Sequence, residues 1–437
     1  MSVFLFIIYF IGGCFLMSRS GFIKASGLGT KNILWLFTLK IAAGCFVGLI
    51  NHFLFQNQTD YDAYNAAGIE EYNMLFADPH RFFTDIFKSN YAEYGEFFGS
   101  SGSYWNDLRT NIIFKILGFL NILSRGNYYI NCLFFNSFCF IGHIALYRVF
   151  INEYPLKKIQ CIIGCAFLPS LLYFTSGIHK DLIVFTALAV FCYALYFSLK
   201  TSFSTKKIFF LIISFLIILF IRNFIAVLLL PCALGWAISY KFKIKPSLVF
   251  LTMFFSGIAS TAFLHFYILK FDPLKVVADK QQAFLSLGTT TTMYHNDTLQ
   301  PTIQKFVTAA PGALRHSFLS PYPGEFNNIY INLFAVEIII YAILFLTMLI
   351  IPEKKNASPR EFLFFSLTFT FFVFLFAGYI TPAAGALIRY RSIYLPFLIT
   401  PLLCNIGWSK IKITITNKVN LKLIINIYIF IFYSYFD

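Results

Sequence analysis

Charged residues are scarce in this chain. They account for 12% of its 437 residues, whereas soluble globular domains average about 25%. Hydrophobic residues account for 58%, and the mean hydropathy is +0.72. A soluble fold could not hide that much apolar surface from water. The composition therefore excludes a soluble protein and indicates that lipid surrounds much of the chain.

Several catalytic and metal-binding motifs are also missing. The sequence has no Walker A motif, no Gly-x-Gly-x-x-Gly, no His-Glu-x-x-His and no Gly-x-Ser-x-Gly. Their absence argues against an ATP-driven pump and against a cytoplasmic nucleotide-sugar enzyme. The nine cysteines lie in apolar stretches and include no Cys-x-x-Cys pair. Neither a zinc site nor a disulfide framework is indicated.

Long apolar runs are abundant. A membrane-spanning helix needs about 20 residues, and shorter ones are possible where flanking groups snorkel. The first run begins at the N-terminus and its first basic residue, Arg19, follows it, which predicts a first span rather than a cleaved signal peptide. The predicted spans are residues 1–17, 33–55, 127–148, 159–178, 182–198, 208–221, 224–240, 247–267, 327–350, 361–379, 388–407 and 421–436.

The net charge of +15 is concentrated in every second loop. By the positive-inside rule these loops are cytoplasmic, which places both termini outside the cell. Residues 111–124 are too short to span, and counting them would invert every later loop, so they are predicted to be an amphipathic helix in the outer interface. The basic loops contain Arg19, Lys24 and Lys31; Lys157 and Lys158; Lys200, Lys206 and Lys207; Lys241, Lys243 and Lys245; Lys354, Lys355 and Arg360; and Lys410, Lys412, Lys418 and Lys422.

The predicted fold class is therefore all-α. We expect an integral protein of the inner (plasma) membrane with about twelve transmembrane helices, forming a single polytopic domain over residues 1–437. Two large extracytoplasmic loops, at 56–126 and 268–326, separate the groups of spans. Because the positive charge is explained by topology, nucleic acid is not an expected partner.

The first candidate site is the acidic start of the outer loop 56–126. Asp60 and Asp62 form an Asp-x-Asp pair directly after the second span, and Glu70 and Glu71 follow. Such a pair holds a divalent cation such as Mg²⁺ or Mn²⁺ through hard oxygen ligands. Alternatively, one carboxylate acts as general base on a sugar hydroxyl. A solvated loop with an Asx turn or helix cap is the bland interpretation of the same residues.

The second candidate site is the outer turn between predicted spans four and five. His179, Lys180 and Asp181 interrupt an apolar stretch that runs from 159 to 198. Charge at a membrane turn is costly unless it meets water or a partner. The lysine and histidine suit phosphate binding, and histidine also transfers protons near neutral pH. We therefore expect His179 and Asp181 to be catalytic and Lys180 to bind substrate, rather than a lysine that only snorkels to headgroups.

Arginines on the outer side form the third group of candidates. Arg222 lies in the next outer turn, Arg389 and Arg391 near the outer end of span eleven, and Arg315 in the second large loop. Arginine suits bidentate phosphate binding, and its charge does not titrate away. A polyprenyl-phosphate or pyrophosphate presents its anionic head at this depth. An enzyme acting on it needs cations for the leaving phosphate and a carboxylate for the acceptor hydroxyl.

Three short segments carry a family resemblance: Asp60-Tyr61-Asp62 through Glu71, Pro169-Ser170 through His179-Lys180-Asp181, and Arg389-Tyr390-Arg391 with Pro396. In these the chain resembles polytopic glycosyltransferases of the GT-C type and the loosely related Wzy- or EpsG-like surface-polysaccharide polymerases. The resemblance implies an enzyme that transfers sugar from a polyprenyl-linked donor during cell-envelope glycan assembly. It implies Asp60 or Asp62 as base or metal ligand. It implies phosphate binding by Lys180, Arg222, Arg389 and Arg391.

Two other functions remain open. A flippase or transporter of lipid-linked sugars would place ionisable residues near the membrane middle. We expect few such residues there, because His52 and His265 lie near the ends of predicted spans. That scarcity argues against a proton-coupled transporter but not against a flippase with a wet groove. The other alternative is a non-catalytic subunit of an envelope-assembly machine.

Overall fold

The structure, a computed structural model, describes residues 2–56, 59–98, 102–268, 272–286, 288, 291–294, 298–353 and 360–411. Within those ranges the regular structure is helical, apart from two isolated β-bridges. The α-helices are α1 Ser2–Arg19, α2 Gly21–Lys24, α3 Thr30–Leu54, α4 Asp60–Ala77, α5 Pro79–Thr84, α6 Tyr104–Ser124, α7 Tyr128–Glu153, α8 Lys158–Ala166, α9 Pro169–Phe174, α10 Lys180–Lys200, α11 Thr205–Ile221, α12 Asn223–Phe242, α13 Pro246–Tyr267, α14 Pro273–Leu285, α15 Ile303–Leu319, α16 Ile329–Ile350, α17 Arg360–Ile380, α18 Ala384–Ser392 and α19 Leu395–Cys404.

Eight of these helices are long and apolar enough to cross a membrane: α1, α3, α7, α10, α12, α13, α16 and α17. The predicted all-helical membrane protein is thus confirmed at this level. The predicted span 208–221 coincides with α11, which has 17 residues. The predicted span 421–436 lies outside the described residues. The total of twelve spans stays a prediction.

Two predicted spans are each divided into a pair of short helices. Residues 159–178 form α8 and α9, separated at Pro169, and residues 388–407 form parts of α18 and α19, separated near Pro396. Proline lacks the N–H that would continue the preceding helix and disfavours helical backbone in the residue before it. It is accepted in the first turn of a new helix, where both prolines lie.

The core lies around α7 and α10. In each, 72% of the most apolar 18-residue window is buried, against 11% for α1 and α13. The two central helices approach closely at Gly142, where an added Cβ would lie 2.8 Å from the Cα of Thr186. The peripheral helices expose large apolar side chains, including Phe255 and Ile258 of α13. Such continuous apolar faces are suited to lipid contact.

The predicted outer loops contain helices of their own. Residues 111–124 fall within α6, which packs on α4 and leaves Ile116, Phe119 and Ile122 exposed. The second loop, 268–326, contains α14 and α15, and both pack against α17. These extra helices bring residues of the two loops over the ends of the long helices.

Candidate functional site

The first part of the site is the start of α4. Thr59 precedes the helix, and Asp62 accepts hydrogen bonds from the Thr59 backbone N–H (3.3 Å) and hydroxyl (2.5 Å). This reciprocal capping box satisfies donors that every helix start leaves open. Asp60, the first residue of α4, has an exposed carboxylate that accepts from Arg389 Nη1 at 2.5 Å. Asp62 is therefore engaged in starting the helix, whereas Asp60 faces a distant part of the chain.

The second part is the turn between α9 and α10. His179 caps α10, and its side chain is only 1% exposed. Its Nδ1 lies 3.0 Å from Asp181 Oδ2, and its Nε2 lies 3.7 Å from Asp60 Oδ2. The rings of Tyr61 and Tyr64, both from α4, pack on the imidazole. The histidine is thus held between a buried and an exposed carboxylate.

Two arginines close the network. Arg222, at the junction of α11 and α12, donates to Asp181 Oδ1, and its guanidinium lies 4.2 Å from the centre of the Tyr390 ring. Arg389 of α18 bonds to Asp60 and places its Nε 3.7 Å from Asp181 Oδ2. We call Asp60, His179, Asp181, Arg222 and Arg389 the outer network. Sequence analysis had named all five as candidates, and the structure brings them together.

Further cations surround the outer network. Lys180 interacts electrostatically with Arg222, Arg389 and Arg109 as well as with Asp181. Arg109 of α6 donates to the carbonyl of Ile221, and Lys280 of α14 lies over the ring of Phe224. Five cations thus stand beside two carboxylates.

The pKa values of the added cations record this crowding. Burial, followed by repulsion from Arg109 and Arg222, lowers the pKa of Lys280 to about 8. Burial and the charge of Arg222 lower the pKa of Arg109 to about 10. At Asp60 the effect is opposite, because the His179 imidazole and the Arg389 guanidinium outweigh burial and hold its pKa below the ordinary value. The site therefore combines an ionised carboxylate with several cations that lie close enough to repel one another.

The remaining candidates lie elsewhere. Glu71 pairs with Lys115 at 2.5 Å, linking α4 to α6, and Glu70 is exposed. Arg315 is also exposed on α15. Arg391 is 1% exposed and donates to the carbonyls of Ser317 and Ser320. Within the described residues, no hydrogen bond or ion pair joins any of these four to the outer network, so their predicted roles in substrate binding stay predictions.

Asp60 and Asp62, the predicted metal ligands, are not joined by a third ligand among the described residues. Within the described residues there is no group of three or more His, Cys, Asp or Glu side chains arranged to hold a metal ion. Asp60 bonds to Arg389 and Asp62 to Thr59. The two carboxylates therefore have different partners, and an arginine occupies the position beside Asp60 that a cation would take.

Sequence analysis missed Arg109 and Lys280. It also missed Lys40, His143 and Glu337, which are buried in long helices. For Arg109 and Lys280 the sequence contains no specific signal, because basic residues in polar loops are ordinary. For the other three the available signal was an ionisable residue inside an apolar run. The expectation of few ionisable residues in the membrane middle understated their number.

Comparisons with family models, with curated proteins and with solved structures found no match.

Proposed function

We propose that this protein transfers sugar, on the extracytoplasmic side, from a polyprenyl-phosphate or pyrophosphate donor to an acceptor hydroxyl during surface-glycan assembly. The observation that carries the proposal is the group of cations that lies around an exposed, ionised Asp60. Arginine and lysine side chains are well suited to binding phosphate. The apolar bundle beside it suits a polyprenyl tail.

The proposed chemistry divides the site into two sides. On the acceptor side, Asp60 takes the hydroxyl proton as the oxygen attacks the sugar C1. On the donor side, the bond from C1 to the phosphate oxygen breaks and its electron pair stays on the phosphate. Arg222, Lys280 and their neighbours stabilise that developing charge. His179, held by Asp181, positions the Asp60 carboxylate.

In the proposed topology, residues predicted on one side of the membrane contact other residues predicted on the same side. The outer network joins residues from four segments that were all predicted to be outside. Loops predicted to be cytoplasmic likewise contact one another: Lys157 pairs with Glu353, and Arg148 donates to the carbonyl of Phe22. These contacts support the predicted alternation of sides as far as residue 411, with α8–α9 and α18–α19 crossing as broken helices. The twelfth span, 421–436, stays a prediction.

The test is complementation of a deletion strain of the source cell, with surface glycan and lipid-linked precursor as readouts. Asp60→Asn, Lys280→Met and Arg389→Gln are each expected to reduce transfer by about 10²–10³-fold, the usual cost of losing one charge-stabilising group. Asp279→Asn and Lys275→Met, at exposed positions of α14, are the matched controls. Membrane abundance is measured for every variant.

The location of the precursor separates the alternatives. Accumulation outside the membrane in the three site variants supports glycosyl transfer. Accumulation inside would identify a flippase instead. Normal glycan in all three variants would mean that the outer network does no chemistry and that the protein is a structural subunit or has another role.

A further inference from the structure

A lysine in the middle of α3, Lys40, donates hydrogen bonds to the turn that precedes His179. Lys40 is 3% exposed. Its Nζ donates to the carbonyl of Thr175 at 2.8 Å, to the Thr175 hydroxyl at 2.7 Å and to the Ser176 hydroxyl at 2.9 Å. An ammonium group has three donors, and all three are used here.

The acceptors lie where α9 ends. The last carbonyls of a helix have no partner within it, and the Thr175 carbonyl is at that position, directly after α9. From α7, Asn136 Nδ2 donates to the carbonyl of Ser176 at 2.7 Å, and the Cys132 thiol lies 3.0 Å from the same oxygen. Residues 175 and 176 are therefore fixed by side chains of two neighbouring helices.

The fixed turn leads directly into the outer network. Gly177 follows, and an added Cβ there would lie 2.4 Å from the ring of Tyr61. His179 comes two residues later, with Asp60 on one side and Asp181 on the other. A shift at Thr175 would thus be transmitted over four residues to the imidazole.

We propose that Lys40 is a positioning residue: by holding the end of α9, it places the His179 imidazole between Asp60 and Asp181. A buried lysine in a membrane helix is more often considered as a proton or ion carrier. Lys40 differs, because each of its donors already has an acceptor on the turn. The consequence for catalysis rests on the proposed function, but the placement of His179 does not.

The test measures the accessibility of His179 directly. The purified full-length protein in detergent is treated with diethyl pyrocarbonate, and modification of each histidine is followed by mass spectrometry. His80, which is exposed, serves as the internal reference, and His316, which is 6% exposed, reports general unfolding. Because the His179 side chain is 1% exposed, we expect it to be protected in the wild type.

Lys40→Met keeps the length of the side chain but removes the donors. We expect the ratio of His179 to His80 modification to rise about tenfold, the effect of losing a charged hydrogen bond, while His316 stays protected. Ser176→Ala removes one acceptor and is expected to give a smaller rise. Lys31→Met, at an exposed position of the same helix, is the control and leaves the ratio unchanged.

An unchanged ratio in folded Lys40→Met protein would overturn the proposal, as would a rise at His316 equal to that at His179. If Lys40→Met does not accumulate in the membrane, the Ser176→Ala ratio decides in the same way. Since the labelling needs no substrate, its result stands whether or not glycosyl transfer is found. Where transfer is found, the same variants should lower kcat more than they change KM.

Discussion

At the scale of single residues, the most constrained group is the carboxylate of Asp181. It is 0% exposed and contacts His179, Arg222 and Arg389. A buried charge of this kind depends on all of its partners, because a partner left alone in the interior cannot recover its hydration. The outer network is therefore a structural element as well as a candidate site.

Asp181→Ala tests this. We expect it to lower the free energy of unfolding by about 3–5 kcal/mol, since Arg222, whose side chain is 16% exposed, would lose the buried carboxylate that it pairs with. Unfolding of the protein in detergent, followed by circular dichroism, gives the value. Asp279→Ala, at an exposed position, should stay within about 0.5 kcal/mol of the wild type. A similar small change for both variants would contradict the argument.

Asp60 gives a prediction about pH. Its pKa in the folded protein lies below the ordinary value, with His179 as the largest cause. The stabilising interaction is thus present above the ordinary pKa of about 3.9 and is lost only as the pH falls through the lower, folded value. Transfer that depends on ionised Asp60 should accordingly persist to more acidic pH than an ordinary aspartate allows.

His179→Ala should move the acidic limb of the residual activity upward, toward about pH 4. The measurement is the pH profile of transfer in purified wild-type and variant protein. Arg81→Ala, an exposed arginine that pairs with Asp85, should leave the limb where it is. If the limb does not move in the histidine variant, Asp60 is not the group that titrates.

The sequence indicated the outer network because its charges interrupt apolar stretches or contradict the topology rule. His179 and Arg222 could be named for that reason. Arg109 and Lys280 could not, because a basic residue in a polar loop is ordinary and only the fold shows that these two converge. Lys40 was overlooked because one charge hardly changes the hydropathy of a 25-residue helix.

At the scale of helices, the packing depends on close approaches at a few glycines. A Cβ added at Gly378 of α17 would lie 2.1 Å from the carbonyl oxygen of Ala313 in α15. Backbone cannot move aside as a side-chain end can, so this contact sets the distance between the two helices. By contrast, Gly257 of α13 has open space around its Cα hydrogen.

Gly378→Ala is therefore expected to destabilise the protein by about 1–3 kcal/mol, the usual cost of overpacking. Gly257→Ala should be neutral or stabilising by up to about 1 kcal/mol, because alanine favours the helix more than glycine does. Midpoints of thermal unfolding in one detergent compare the two. Equal effects would mean that α15 is free to move away from α17.

The lengths of the apolar runs in the sequence are enough to predict the positions of most of the long helices. It did not reveal where helices break. Pro169 and Pro396 were visible, but whether a proline kinks a helix or starts a new one depends on what receives the freed backbone groups. At the break between α8 and α9, the carbonyl oxygen of Cys165 lies 2.6 Å from His143 Nδ1 of α7, and the backbone N–H of Ser170 donates to Glu337 of α16.

At the scale of the whole molecule, the proposed topology assigns each end of the bundle to one side of the membrane. Cysteine labelling in intact cells tests it. Lys275→Cys, in the second outer loop, should react with a membrane-impermeant maleimide, whereas Lys206→Cys should react only after the membrane is permeabilised. Both positions are exposed, and the native cysteines in the structure are buried or half-buried. The reverse labelling pattern would place the proposed site on the cytoplasmic side of the membrane.

The separation of Lys40 from its partners also bears on biosynthesis. Thr175 lies 135 residues further along the chain. At about 5–20 residues per second, α3 leaves the ribosome roughly 7–27 s before the turn that accepts the lysine's hydrogen bonds. During that interval the helix must enter the bilayer with an unpartnered ammonium, at a cost of about 2.5–3.5 kcal/mol that its apolar residues offset. The lysine thus makes the early nascent chain dependent on a later segment for its final position.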